Sequence, residues 1–268
     1  MFGNLKRQNM NRFNIPESFE TPYEKFTIPI VYGRMLIFAD THIPYHNIPS
    51  LNAMFSYSIK NKIKSILING DLIDQHSLSK FLIDPRKRNF KQEIETTREF
   101  ILNLKEVFPR AKIYVKLGNH DIRFEHFLMR KAPELLGFEE FKLSNILHTY
   151  ALGIEMIEDN RIVYLGKLPI LHGHEINMRG TTVNPARTLY LKVKTSCMCA
   201  HLHTSSQHTE KRLDGHMIST WSIGHMCEEH PAYAPINNWN PGFAIVDYDA
   251  EFFEVSNYKV IDGRVYRS

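Results

Sequence analysis

Five short groups in this chain combine residue types that bind metal ions. They are Asp40-Thr41-His42, Gly70-Asp71-Leu72-Ile73-Asp74, Gly118-Asn119-His120-Asp121, His172-Gly173-His174 and His201-Leu202-His203. Carboxylate, imidazole and amide oxygen together suit Mn²⁺, Fe, Zn²⁺ or Ni²⁺ rather than a thiolate-rich zinc site. Taken singly, each group has an ordinary structural reading. Asp-x-His arises by chance, Gly-Asp after a strand makes a turn, and Asn-His caps a helix or tips a loop. Five in series, each following a short apolar run, point instead to one centre built from several loops.

The elements that must position these loops are legible as apolar runs. MLIFA (35–39), SILIN (65–69) and KIYVKL (112–117) read as buried strands. Pro49-Ser50 precedes a helical spacing over 51–62, and Phe90, Ile94, Phe100, Ile101, Leu104 and Val107 mark an amphipathic helix stopped by Pro109. Strand, helix, strand, helix, strand is the pattern of βαβ units. The second half is richer in β-prone runs: ILHTYAL (146–152), IEMI (154–157), RIVYLG (161–166), LPILHG (168–173), SCMCA (196–200), HMISTWSI (216–223), GFAIVDY (242–248) and FFEVSNYKV (252–260). Pro185 opens a helix over 185–194. The expected fold is α/β: two packed mixed β-sheets, a β-sandwich, flanked by helices. Residues 31–268 are read as one domain and 1–30, polar and Asn-rich, as an arm on its surface. Functional groups in open parallel sheets gather beyond the strand C-terminal ends. Residues i and i+2 of a strand point the same way, so Asp40 with His42, and His201 with His203, are expected to aim together.

Composition sets outer bounds. The chain has 268 residues, 43% hydrophobic and 23% charged, with a net charge of +4. That excludes collagen, a disordered tail protein and a disulfide scaffold, and permits a phosphate-bearing partner without demanding one. Three cysteines fit a reducing compartment. No run approaches the roughly 20 apolar residues that span a bilayer, and MFGNLKRQNMNRFN lacks a signal-peptide core. The expectation is a soluble, cytoplasmic protein with no membrane partner.

DTH (40–42), GDLID (70–74), GNHD (118–121), HGH (172–174) and AHLH (200–203) resemble the motif series of the calcineurin-like metallophosphoesterases. That series runs D-x-H, G-D-x-x-[DN], G-N-H-[DE], H and G-H-x-H. Ala200 departs from the family's glycine. Residues 223–246 also look like the C-terminal part of phage-encoded members. The resemblance implies two divalent ions, Mn²⁺ first, with Fe, Zn²⁺ or Ni²⁺ as alternatives. It implies Asp40, His42, Asp71 and His203 around one ion, Asp71 as bridge, and Asn119, His172 and His201 around the other. It further implies a water activated by both ions that attacks phosphorus, with His120 beside the leaving oxygen as general acid or stabilising cation.

The neighbours keep two readings each. Asp74 and Asp121 orient ligand histidines or cap helices. His174 lines the site or is a hydrogen-bonded bystander. Arg187 holds a phosphate oxygen or is a solvated helix residue. Cys197-x-Cys199 lacks a second pair at zinc spacing and reads as core. His46, His76, His126, His208, His225 and His230 read as surface or core. The basic stretch 85–91, with Phe90, tracks a nucleic-acid backbone or is a solvated loop, and Tyr233 and Trp239 stack on a base or pack under their own loop. GDLIDQH and GNHD differ from the protein-phosphatase G-D-x-x-D-R-G and G-N-H-E. The functional expectation is a metal-dependent phosphoesterase acting on phosphate esters, most simply a phosphodiesterase or nuclease on nucleic acid or nucleotides. The alternatives are a phosphomonoesterase of the same fold and a binding protein whose site has been retired.

Overall fold

The structure, a computed structural model, describes residues 13–20, 23–80, 84, 86, 89–158, 160–178, 183–229 and 236–268. In chain order the strands are β1 (Phe26–Ile28), β2 (Arg34–Phe38), β3 (Ser65–Asn69), β4 (Lys112–Lys116), β5 (Glu155–Ile157), β6 (Val163–Leu165), β7 (Leu168–Ile170), β8 (Cys197–Cys199), β9 (Ser206–Lys211), β10 (Met217–Ser222), β11 (Gly242–Tyr248), β12 (Phe253–Ile261) and β13 (Arg264–Arg267). The α-helices are α1 (Ile48–Lys60), α2 (Phe90–Val107), α3 (Arg123–Lys131), α4 (Leu143–Ile146) and α5 (Pro185–Val193).

Two mixed sheets result. A seven-stranded sheet has the order β13-β12-β11-β2-β3-β4-β5, and a six-stranded sheet has the order β1-β6-β7-β8-β10-β9. The parallel neighbours β2, β3 and β4 form the centre of the first. Their residues alternate between two cores, as a period of two requires. Met35, Ile37, Leu67 and Tyr114 face the second sheet and pack with Ile28, Val163, Ile170, Met198 and Trp221. Leu36, Phe38, Ile66, Ile68, Ile113 and Val115 face outward and pack with Leu51 and Met54 of α1 and Ile94, Ile101 and Leu104 of α2. Burial on both faces explains why these strands read as unbroken apolar runs. A smaller core under α5 holds Leu189, Cys197 and Cys199.

Helix starts follow local capping chemistry. Asn47, Asn89 and Asn184 each accept a hydrogen bond from the backbone N–H three residues on, opening α1, α2 and α5. Pro185 takes the first position of α5, where its missing N–H costs nothing.

One stretch differs from its sequence reading. ILHTYAL is not a strand: it runs from the end of α4 through a 3-10 turn at Tyr150–Leu152. Leu143 and Leu147 turn onto the helix-covered core, so tertiary burial overrides the β-prone composition. Within 1–30, Phe26–Ile28 pairs in parallel with Val163–Leu165 at the edge of the six-stranded sheet.

Candidate metal centre

The five loops leave the C-terminal ends of β2, β3 and β4 in one sheet and of β7 and β8 in the other. The first two run side by side beyond their strands: Asp40 N–H donates to Gly70 O, His42 N–H to Asp71 O and Ile43 N–H to Leu72 O, all at 3.0 Å. In the second sheet Ala200 N–H donates to His172 O at 2.8 Å. Asp40 joins the two halves, because its Oδ2 accepts the N–H of His201 at 3.1 Å.

The strand-alternation argument for paired ligands does not describe these loops. Asp40, His42, Asp71, His201 and His203 have φ of 53°, 47°, 54°, 67° and 56°. Left-handed backbone costs a non-glycine residue roughly 1–2 kcal/mol, and such strain concentrates at functional sites. Two glycines are fixed by close approach. A Cβ at Gly70, itself at φ +93°, would overlap the His172 ring, and one at Gly118 would overlap the Asp71 carboxylate. Ala200 needs no such freedom. Its φ is not positive, its methyl is buried in the inter-sheet core, and both histidines of AHLH reach the site.

The ligand candidates fall into two sets. Asp40, His42 and His203 present ligand atoms within 4.8 Å of one another, and so do Asp71, His172 and His201. Asp71 lies between them: its Oδ2 is 3.3 Å from His172 Nε2 and 3.8 Å from His42 Nε2. Its other oxygen, Oδ1, accepts the His120 N–H at 2.8 Å. Across the first set, His203 Nε2 is 3.3 Å from Asp40 Oδ1 and 3.4 Å from His42 Nε2.

Outer hydrogen bonds set which nitrogen His172 and His42 present. His172 Nδ1 sits 2.7 Å from Asn69 O, leaving Nε2 for the centre. His42 Nδ1 is 2.9 Å from Asp74 Oδ1, again leaving Nε2. The same Asp74 oxygen is 2.8 Å from His120 Nδ1. His42, Asp74 and His120 also form a compact triad, but Asp74 Oδ1 is already used by two imidazoles. Asp74 therefore orients the two histidines, and it makes no side-chain cap.

Several sequence expectations change in detail. Asp121 neither orients a histidine nor caps α3, whose N-cap Ile122 has no side-chain bond. Its carboxylate accepts the N–H groups of Asp71, Gly118 and Ile73 at 2.8, 2.8 and 3.2 Å, clamping two ligand loops together. Burial and the charge of Asp71 push its carboxyl up to about 6. His174 bonds Asn160 Oδ1 at 2.9 Å, and burial lowers it to about 4. Arg187 is exposed on the first turn of α5, and its side chain makes no hydrogen bond or ion pair with described residues. Cys197, Cys199 and Cys227 are free and buried. His230, Tyr233 and residues 85, 87 and 88 of the basic stretch lie outside the described residues.

Sequence reasoning missed four contributors. Glu175 follows HGH directly and anchors its loop, accepting His172 N–H at 3.1 Å and Gly173 N–H at 2.7 Å. Its partner is the fully buried Lys116 at 2.8 Å. Burial opposes the Glu175 charge, but Lys116 outweighs it and holds the carboxyl at about 2. Arg123, two residues past Asp121, donates to His120 Nε2 at 3.0 Å. His225, read only as surface or core, is buried with its ring 5.2 Å from that of His203. Burial lowers it to about 3. The signals were present: a carboxylate beside HGH, a lysine ending an apolar strand, an arginine just past GNHD, and a His-x-Cys after a strand.

The donor set fits divalent cations. Asp40 Oδ1, Asn119 Oδ1 and His172 Nε2 are buried and make no hydrogen bond, an arrangement that is costly unless something else satisfies them. Burial works against charge on Asp40, Asp71 and His172, yet mutual pairing wins. His203 holds Asp40 below the usual carboxylate range, and His172 does the same for Asp71. Asp71 and Asp40 in turn raise His172 to about 10. A cation taking His172 Nε2 displaces a proton at neutral pH, so metal loading is coupled to proton release.

A fold with five candidate ligand loops on one rim of a two-sheet sandwich matches a metallophosphoesterase architecture. Residues 33–219 match the calcineurin-like phosphoesterase family, and the chain belongs to it. Gene 54 protein of Mycobacterium phage L5 is 25% identical over 246 residues, spanning 86% of this chain and 95% of that protein. This phage relative accords with the look of residues 223–246. Among solved structures, wild-type Vps29 of Entamoeba histolytica complexed with Zn²⁺ is 14% identical, with a TM-score of 0.45 over 88% of this chain and 97% of its own. Yfce, a phosphoesterase from E. coli, is 14% identical, with a TM-score of 0.43 over 88% and 98%. Pseudomonas putida nuclease MPE is 14% identical, with a TM-score of 0.38 over 87% of each chain. Among the described residues no helix is long and apolar enough to cross a membrane.

Proposed function

We propose that this protein is a two-metal phosphoesterase that cleaves phosphodiesters in nucleic acid or nucleotides. The observation that carries this reading is the placement of Asp71 Oδ2 within 3.8 Å of imidazoles from both ligand sets. Asp40, His42 and His203 would hold one ion, Asn119, His172 and His201 the other, and Asp71 both, with Mn²⁺ as the first candidate. Bound there, the pair would supply Lewis-acid stabilisation and a nucleophilic water at neutral pH.

The chain's own groups account for the rest. Asp74 fixes the rings of His42 and His120, and Asp121 locks the two loops that bring Asp71 and Asn119 together. His120, one-fifth exposed at the cluster's edge with Nε2 4.0 Å from Asp71 Oδ2, serves the leaving oxygen. Trp239 packs edge-on against His203 with ring centroids 4.3 Å apart. It places an aromatic surface beside the centre, which favours substrates carrying a base. Arg187 is carried as a candidate for an outlying phosphate. Residues 31–268 are taken as the catalytic domain and 1–30 as an arm whose strand β1 is paired into that domain's six-stranded sheet. The cytoplasm is the proposed compartment, in keeping with three free thiols.

The test is a substrate panel with the Mn²⁺-loaded protein: bis-p-nitrophenyl phosphate, p-nitrophenyl phosphate, cyclic nucleotides, and single- and double-stranded DNA. Turnover of diesters ahead of the monoester supports the proposal. Preference for p-nitrophenyl phosphate would make the protein a phosphomonoesterase, and no turnover with both metals bound would make it a retired site.

A further inference from the structure

Arg123 is half-buried at the start of α3, beside the metal centre. Its Nη1 donates to Asp74 O at 2.9 Å, and its Nη2 donates to His120 Nε2 at 3.0 Å. No carboxylate lies within ion-pair distance of its guanidinium among the described residues. The contrast with Arg34 is direct, since that guanidinium is held by both oxygens of Asp247 at 2.6 and 3.0 Å. A cation withdrawn from water is normally paired. The nearest acidic side chain bonded into this network, Asp74, is already occupied by His42 and His120.

The position of Arg123 is set independently of any anion. The Asp74 carbonyl fixes Nη1, so the planar fork is pre-oriented with Nη2 at the ring edge that His120 turns toward Asp71. A guanidinium held this way presents parallel N–H donors that match phosphate oxygens.

Resting on the phosphoesterase reading, we propose that Arg123 is a substrate-binding residue of this centre: it receives a phosphate oxygen through Nη2, exchanging its bond to His120 for one to the substrate. Its anion is then the substrate itself, which explains a half-buried arginine without a carboxylate. The exchange also releases His120 Nε2 from its neighbour as the substrate arrives, so one movement binds phosphate and frees the group facing the leaving oxygen. Arg187, exposed on α5 and without a side-chain partner among the described residues, shows no comparable preorganisation.

The probe is inorganic phosphate, titrated calorimetrically into the Mn²⁺-loaded protein and into Arg123→Gln and Arg123→Lys, with metal content measured on the same samples. Glutamine can still donate to the Asp74 carbonyl but carries no charge. Both variants are expected to keep their metals. Arg123→Gln should bind phosphate about ten- to a hundredfold more weakly, as expected for a lost charge-assisted hydrogen bond, and Arg123→Lys should fall between it and the parent. Where diester turnover is measurable, Arg123→Gln should raise KM for bis-p-nitrophenyl phosphate more than it lowers kcat. Phosphate affinity within twofold of the parent in Arg123→Gln would overturn the proposal. Loss of metals in that variant would also overturn it, marking Arg123 as a clamp on the ligand loops. Because phosphate binding is read without turnover, a protein that cleaves nothing in the substrate panel still decides the role of Arg123.

Discussion

Lys116 and Glu175 form a buried ion pair, with Nζ 2.8 Å from Oε1, behind the loop that carries His172. Lys116 ends β4, and the Glu175 carboxylate also takes the N–H groups of His172 and Gly173. The pair thus ties the first sheet to a ligand loop of the second. Breaking a buried pair from one side costs about 3–5 kcal/mol, because the remaining charge is left uncompensated. Lys116→Met should therefore lower stability by about that amount and weaken metal binding. The acid limb follows from the same pair. Glu175 in the folded protein sits at about 2, below its ordinary 4.5. Its contribution is full above the ordinary value and is lost as pH falls through that window toward 2. Denaturant midpoints of the metal-free protein between pH 6 and 3 should show this loss, and Glu175→Gln should start lower and fall less steeply.

Asp74 orients two histidines with one oxygen. Asp74→Asn should let the His42 and His120 rings turn and cost about 10–100-fold in metal affinity or activity, the usual range for an outer hydrogen-bond partner of a ligand. A variant with parental metal affinity and parental turnover would show that packing alone holds both rings.

The cysteines should be inert in the folded state. Burial raises Cys197 to about 12 and pushes Cys199 and Cys227 upward as well, so the reactive thiolate is scarce at neutral pH. Thiol titration of the unreduced protein should count three after denaturation and react far more slowly before it. Cys197→Ser should retain bound metal.

His120 separates binding from catalysis. A general acid contributes about 10²–10⁴-fold to rate and matters most for a poor leaving group. His120→Ala should keep its metals and lose much more activity on a nucleotide diester than on bis-p-nitrophenyl phosphate, whose phenolate leaves without a proton. Equal losses on both substrates would assign His120 to charge stabilisation instead, and loss of a metal would make it a ligand.

How far the sequence could be read depended on whether a residue's partners were local. β2, β3 and β4 were legible because both faces are covered, giving apolar runs, and the ligand loops were legible because they follow those runs directly. β9, with sequence SQHTEK, was not: it is an edge strand with no apolar alternation, fixed by pairing with β10 and by contacts with α5. ILHTYAL misled because Leu147 finds its burial from a turn rather than a strand. The clamps formed by Asp121 and Glu175, and the seating of Arg123 on the Asp74 carbonyl, rest on backbone groups and on partners distant in sequence, which spacing alone does not reveal. The left-handed backbone at five candidate ligand residues was hidden for the same reason: Asp and His visit it more often than most residues, but only the neighbouring loops impose it at these positions.

The shared position of Asp71 is the centre of the account, and metal stoichiometry tests it most directly. Elemental analysis of protein prepared with excess Mn²⁺ should approach two ions per chain, and Asp71→Asn should fall well below that and lose turnover. Two ions retained with full activity in Asp71→Asn, or a parent protein that saturates at one ion, would contradict the two-metal reading.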